Sequence, residues 1–85
     1  MAATHHTTRD KVEKSLYAAM PPIVSREHAE KLTGGMITAV RLRDLDSAGE
    51  GPGTKISMNG RRVGYLKDEF IPWFMGRVKV QDKGL

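Results

Sequence analysis

The residues in this chain best equipped for chemistry are its cations between positions 41 and 67. Lys55, Arg61, Arg62 and Lys67 place four positive charges in one short stretch, with no acid before Asp68. Arg41 and Arg43 stand upstream, two positions apart. Such groups suit an anionic partner, and Arg in particular matches the oxygens of a phosphate with a fork of donors. The formal net charge of +4 points the same way. Other chemistries are poorly supplied. There is no cysteine, which removes disulfides and thiolate metal sites and fits a reducing compartment. His5 and His6 are adjacent and fall short of the four ligands of a structural metal site. His28 has no Ser, Cys or carboxylate constellation around it. No activated nucleophile or acid-base pair is visible, so neither enzymatic activity nor a cofactor is expected.

The cations need an element to hold them. Asn59-Gly60 lies between two runs of strand formers, and both residues tolerate the positive φ of a type I′ hairpin turn. A two-residue turn sets Met58 opposite Arg61, Ser57 opposite Arg62 and Ile56 opposite Val63. Alternation then predicts an inner face of Ile56, Met58, Val63 and Tyr65, and an outer face of Lys55, Ser57, Arg62 and Gly64. The same pattern suits a solvated hairpin whose charged edge discourages aggregation.

Helical patterns surround the hairpin. Thr8 to Met20 carries Val12, Leu16, Ala19 and Met20 at helical spacing behind a Thr8 cap, in a segment that docks, pairs with another copy or frays. Pro21-Pro22 ends it. Ser25 caps a helix to Thr33, with Ala29 and Leu32 inward and Gly34-Gly35 as breakers. Thr38 caps a second to Ala48, closed by Gly49, with Leu42 and Leu45 on one side and Val40, Arg43, Asp44 and Ser47 on the other. Asp68 is the expected cap of a third, whose stripe is Phe70, Trp73 and Phe74; Pro72 sits awkwardly inside it. At 85 residues one domain is expected, burying about 60% of the surface of its unfolded chain. The expected division is a flexible or partly helical arm over 1–20, a domain over 21–80 and a flexible tail over 81–85. The start lacks the apolar core of a signal peptide, and no apolar run could span a membrane. A cytoplasmic location without a membrane partner is therefore expected.

Helix, tight turn, helix, basic hairpin, helix is the order of an α+β, mainly helical, winged helix-turn-helix. Four segments carry a resemblance. They are Ser25-Arg-Glu-His-Ala-Glu-Lys-Leu-Thr-Gly34, Thr38-Ala-Val-Arg-Leu-Arg-Asp-Leu45, Gly60-Arg-Arg-Val-Gly-Tyr65 and Glu69-Phe-Ile-Pro-Trp-Phe74. Together, across roughly Ile23 to Arg77, they resemble the excisionase-type helix-turn-helix proteins, which are related to MerR-type DNA-binding domains. The wing followed by the Trp73 helix is the most specific part. The resemblance implies sequence-specific binding of double-stranded DNA, either in directing recombination or in regulating phage and genomic-island genes. It implies that Thr38 caps the recognition helix near a phosphate, and that Val40, Arg41 and Arg43 face the major groove. Arg61 and Arg62 would be the wing arginines, with Lys55 beside them; further copies of the chain or a recombinase are the implied protein partners. The turn at Gly34 to Ile37 is longer than the family's, Val40 and Asp44 replace frequent basic residues, and Gly64 replaces a wing Arg. The competing expectation is a non-catalytic protein-interaction module that docks through the first helix and the Val40 face.

Overall fold

Hydroxyl side chains decide where the backbone turns helical. Thr7, Ser25 and Thr38 are extended, and their side chains accept from the amides of Asp10, His28 and Arg41. Each bond satisfies one of the donors that a helix start leaves open. In the computed structural model, which describes residues 7–81, these caps open α1 (Thr8–Ala19), α2 (Arg26–Leu32) and α3 (Ala39–Ser47). The first cap falls at Thr7, one residue ahead of the expected Thr8. The His5-His6 pair and the last four residues of the expected tail lie outside the described residues.

Gly34 and Gly49 close α2 and α3 with φ of 64° and 77°. In each case the next amide, Gly35 or Glu50, donates back to the carbonyl of Glu30 or Leu45 at 2.8 Å. This is the Schellman arrangement, which settles carbonyls that the helix end would leave unpaired. α4 (Lys67–Arg77) starts differently. Asp68 is not its cap: Leu66 holds that position without a side-chain bond. The Lys67 amide already donates to the Pro22 carbonyl at 3.0 Å, so the helix grows straight out of the preceding strand. Pro72 lies inside α4 on an exposed position, and the carbonyl it leaves without a donor, that of exposed Asp68, is open to water.

The sheet has three antiparallel strands in the order β1-β3-β2: β1 (Ile23–Ser25), β2 (Lys55–Met58) and β3 (Arg62–Leu66). β1 adds a strand to the expected hairpin of two. The turn keeps its positive φ at Asn59 (55°) and Gly60 (68°). Its register, however, is one residue away from expectation: Met58 pairs with Arg62 and Ser57 with Val63, leaving Arg61 in the loop. A slip of one exchanges the faces of a strand. β3 is fixed by Tyr65, which is fully buried opposite Val24, and β2 must follow it. Lys55 and Ser57 therefore share the inner side with Val63 and Tyr65. Ile56 and Met58, expected inside, share the outer side with Arg62 and Gly64. Gly64 is required by close approach, since a Cβ there would lie 2.9 Å from the Val24 carbonyl oxygen and 3.1 Å from Ile23 Cγ2.

The core runs through Leu16, Met20, Val24, Ala29, Leu42, Tyr65, Phe70, Ile71, Phe74 and Met75. It crosses the boundary expected at Pro21, because α1 supplies Leu16, its C-cap supplies Met20, and the helix packs on α4. The two helices also close each other's ends. Lys67 Nζ donates to the carbonyls of Tyr17 (3.2 Å) and Met20 (3.3 Å) at the end of α1. The Arg9 guanidinium donates to the carbonyls of Val78 (3.1 Å) and Met75 at the end of α4. A cation at a helix C-terminus is favoured by the unpaired carbonyls and the macrodipole. Trp73, expected as core with Phe70, is only half-buried. Its indole N–H donates to the Glu50 carbonyl at 3.1 Å, and the Arg77 guanidinium lies over its ring at 4.8 Å. Val78 to Val80 adds no strand. Among the described residues no helix is long and apolar enough to cross a membrane.

Candidate nucleic-acid interface

α3 buries Leu42 and Leu45 and turns Val40, Arg41, Arg43 and Asp44 outward. Both of its ends are pinned. At the start, the Glu30 carboxylate accepts the Ala39 amide at 2.8 Å, beside the Thr38 cap. α2 thus holds the first turn of α3 through a side chain as well as through packing. The Thr33 hydroxyl, which donates to the Ala29 carbonyl, accepts the Ile37 amide in the linking turn.

The other end is fixed by a three-way polar contact. Tyr65 Oη donates to Asp46 Oδ2 at 2.6 Å, Arg26 Nη2 donates to the same oxygen at 2.6 Å, and Arg26 Nε donates to Tyr65 Oη at 2.9 Å. The carboxylate side chain is 6% exposed and the guanidinium side chain 16%. Removing such a pair from water is costly unless each group is bonded. The tyrosine hydroxyl supplies the third partner that makes the arrangement closed. Burial, first, and the bond to Asp46, second, push its pKa up to about 12, against the opposing effect of Arg26. Burial works against the Arg26 charge, and the bonds to Tyr65 and Asp46 outweigh it, so its pKa lies above the usual value. The contact joins α2, α3 and β3, and so ties the helix pair to the hairpin.

Nine of the cations divide into two groups, apart from Lys11, Lys14, Lys31 and Lys79, which are exposed elsewhere. Arg9, Arg26, Lys67 and Arg77 are bonded within the fold. Lys67, grouped by sequence with the hairpin, is turned to the end of α1. Arg41, Arg43, Lys55, Arg61 and Arg62 are all exposed, and among the described residues their side chains make no hydrogen bond or ion pair. Arg41 and Arg43 lie on the outward side of α3, Arg61 in the hairpin loop and Arg62 on the outer sheet face. Lys55 stands at the far end of β2, opposite Tyr65. Val40 is 57% exposed between the Thr38 cap and Arg41. Sequence reasoning missed the supports of this surface: Glu30, Arg26 and Asp46. Tyr65 carried the only signal for them, because a buried tyrosine hydroxyl calls for a partner.

Compared with known protein families, curated proteins and solved structures, the chain matches none of them.

Proposed function

We propose that this chain is a winged helix-turn-helix protein that binds double-stranded DNA with sequence preference, in the cytoplasm and without catalysis. α2 and α3 form the helix-turn-helix, and β2 and β3 the wing. The physiological role in this reading is that of an excisionase-like recombination directionality factor or a small regulator of phage or genomic-island genes. The observation that carries the proposal is the sorting of arginines. Arg41, Arg43, Arg61 and Arg62, exposed and unpaired, all lie on α3 and the hairpin, while Arg9, Arg26 and Arg77 are bonded within the fold; the lysines do not sort this way, since Lys11, Lys14, Lys31 and Lys79 are exposed elsewhere. A helix fits the major groove, where base edges are distinguishable and Arg is the usual reader of guanine. Val40 suits apolar contact with a thymine methyl. Thr38 stands at the end of α3 nearest a phosphate in this reading, although the Glu30 carboxylate already takes the Ala39 amide there. Arg61 and Arg62 suit phosphates or a narrow minor groove.

The second reading, a protein-interaction module, draws on the apolar exposure of Ile23 (50%) and Val40. Salt titration of duplex affinity separates the two. Each phosphate neutralised contributes about 0.9 to the slope of log K against log salt. Replacing Arg61 and Arg62 together by Ala is expected to lower that slope by up to about 1.8, with the melting temperature unchanged. A shallow slope in the parent would favour the protein-interaction reading, and an unchanged slope in the folded double variant would remove the wing from a DNA interface.

A further inference from the structure

We propose that Met58 is an apolar minor-groove contact at the wing tip, pressing on a base step and partly unstacking it. This inference rests on the DNA-binding reading above. Met58 is the last residue of β2, beside the Asn59-Gly60 turn, and it is 69% exposed. The observed register sets it directly across from Arg62 and on the same face, with Arg61 next along in the loop. A large exposed apolar side chain therefore stands at the tip across from the unpaired guanidinium of Arg62, with Arg61 close by in the sequence of the loop. Ile56 follows on the same face, and Gly64, which has no side chain, lies opposite Ile56.

Charge decides what covers this tip. From Lys55 to Lys67 the chain contains no acid. An apolar protein surface laid over Met58 would strip water from Arg61 and Arg62 and return nothing, while an acidic one would pair the arginines but press its own hydrated charges on the methionine. A groove walled by phosphates returns charge-assisted bonds to both arginines while offering stacked bases to the methionine. Arginine beside an inserted apolar side chain is the physical arrangement by which minor-groove proteins unstack and kink a duplex. Methionine is unbranched and polarizable, so it adapts to a gap of irregular shape.

The test uses the full chain and a duplex of the DNA flanking its own coding region, with a fluorescent adenine analogue placed in turn along it. Met58→Ala is expected to weaken binding about tenfold, as loss of buried apolar area does. The salt slope should stay that of the parent, since no phosphate contact is removed, and the unstacking signal should fall. Met58→Leu should retain both affinity and signal. Ile23→Thr, on the same sheet face but at its far end, should bind as the parent does. Equal affinity and equal signal for Met58→Ala and parent would overturn the proposal. It would also be overturned if Ile23→Thr lost as much as Met58→Ala, for the whole apolar face and not the wing tip would then carry the contact. A parent that binds no duplex defeats this inference together with the reading beneath it. A parent that binds while Met58→Ala matches it in both affinity and signal defeats this inference alone.

Discussion

Tyr65→Phe removes one oxygen from the centre of the polar contact and leaves the ring where it was. Tyr65 is fully buried and packs on Phe70 at 6.1 Å between ring centroids, so the change opens almost no cavity. It removes two hydrogen bonds, at 2.6 Å to Asp46 and 2.9 Å from Arg26, each to a charged group. Such bonds contribute about 1.5–3 kcal/mol each. The Arg26–Asp46 pair survives at 2.6 Å and keeps both charges partnered, so the expected loss is about 2–3 kcal/mol rather than the full sum. For a domain of this size about 1 kcal/mol moves the melting temperature by roughly 4–8 °C. Asp46→Ala should cost more, about 3–5 kcal/mol, because it strands the Arg26 charge. Urea titration of parent and variants at neutral pH measures both.

A pH series sharpens the test. The hydroxyl pKa is raised to about 12 in the folded state, chiefly by burial, against about 10 in the unfolded chain. The folded state holds that proton more tightly. Its contribution is therefore fully present below pH 10 and is lost as pH rises towards 12, by roughly 2–3 kcal/mol. The gap between parent and Tyr65→Phe should narrow across that window. A Tyr65→Phe protein within about 0.5 kcal/mol of the parent at neutral pH, with a constant gap up to pH 12, would refute the three-way contact.

Gly64→Ala should lose about 1–3 kcal/mol in the same urea assay, because its Cβ would press on the Val24 carbonyl; an unchanged midpoint would mean that β1 can move aside. Phe70→Ala should cost about 3–5 kcal/mol and half-buried Trp73→Ala roughly 2 kcal/mol, and the reverse ranking in thermal melts would contradict the packing. Arg43→Ala should relax preference at one base pair by about 1–3 kcal/mol in selection from random duplexes. An equal loss on all duplexes would make Arg43 a phosphate contact.

Local signals were the legible ones. Ser25 and Thr38 as caps, Gly34 and Gly49 as terminators, and Leu42 and Leu45 as the inner stripe each depend on residues within one or two helical turns. The positive φ at Asn59 and Gly60 was readable for the same reason. What failed depended on distant partners. β1 is three residues long, and only its pairing with β3 makes it a strand. The hairpin register turned on whether Arg61 belongs to the loop or the ladder, and Tyr65 in the core decides that. The Asp68 cap was displaced because the Lys67 amide had a partner at Pro22, 45 positions back along the chain by residue number. Within the candidate site, Arg41, Arg43 and Arg62 could be named because exposure follows from helix and hairpin geometry, whereas Arg61, expected opposite Met58, is exposed because it lies in the loop. Arg26, Glu30 and Asp46 could not, since a charged residue read alone looks like surface.

The reciprocal closure of α1 and α4 also bears on how the protein is made. Arg9 reaches the Val78 carbonyl across a sequence separation of 69 residues, and Lys67 reaches that of Tyr17 across 50. A ribosome delivers α1 long before either partner exists. Until α4 emerges, the last carbonyls of α1 lack their cation, and Leu16 and Met20 lack the core formed by Phe70, Ile71, Phe74 and Met75. The helix pair and the hairpin can be translated and still have nothing to close upon. Contacts of such long separation are closed late, so the core shared by α1 and α4 is completed only once α4 has cleared the exit tunnel.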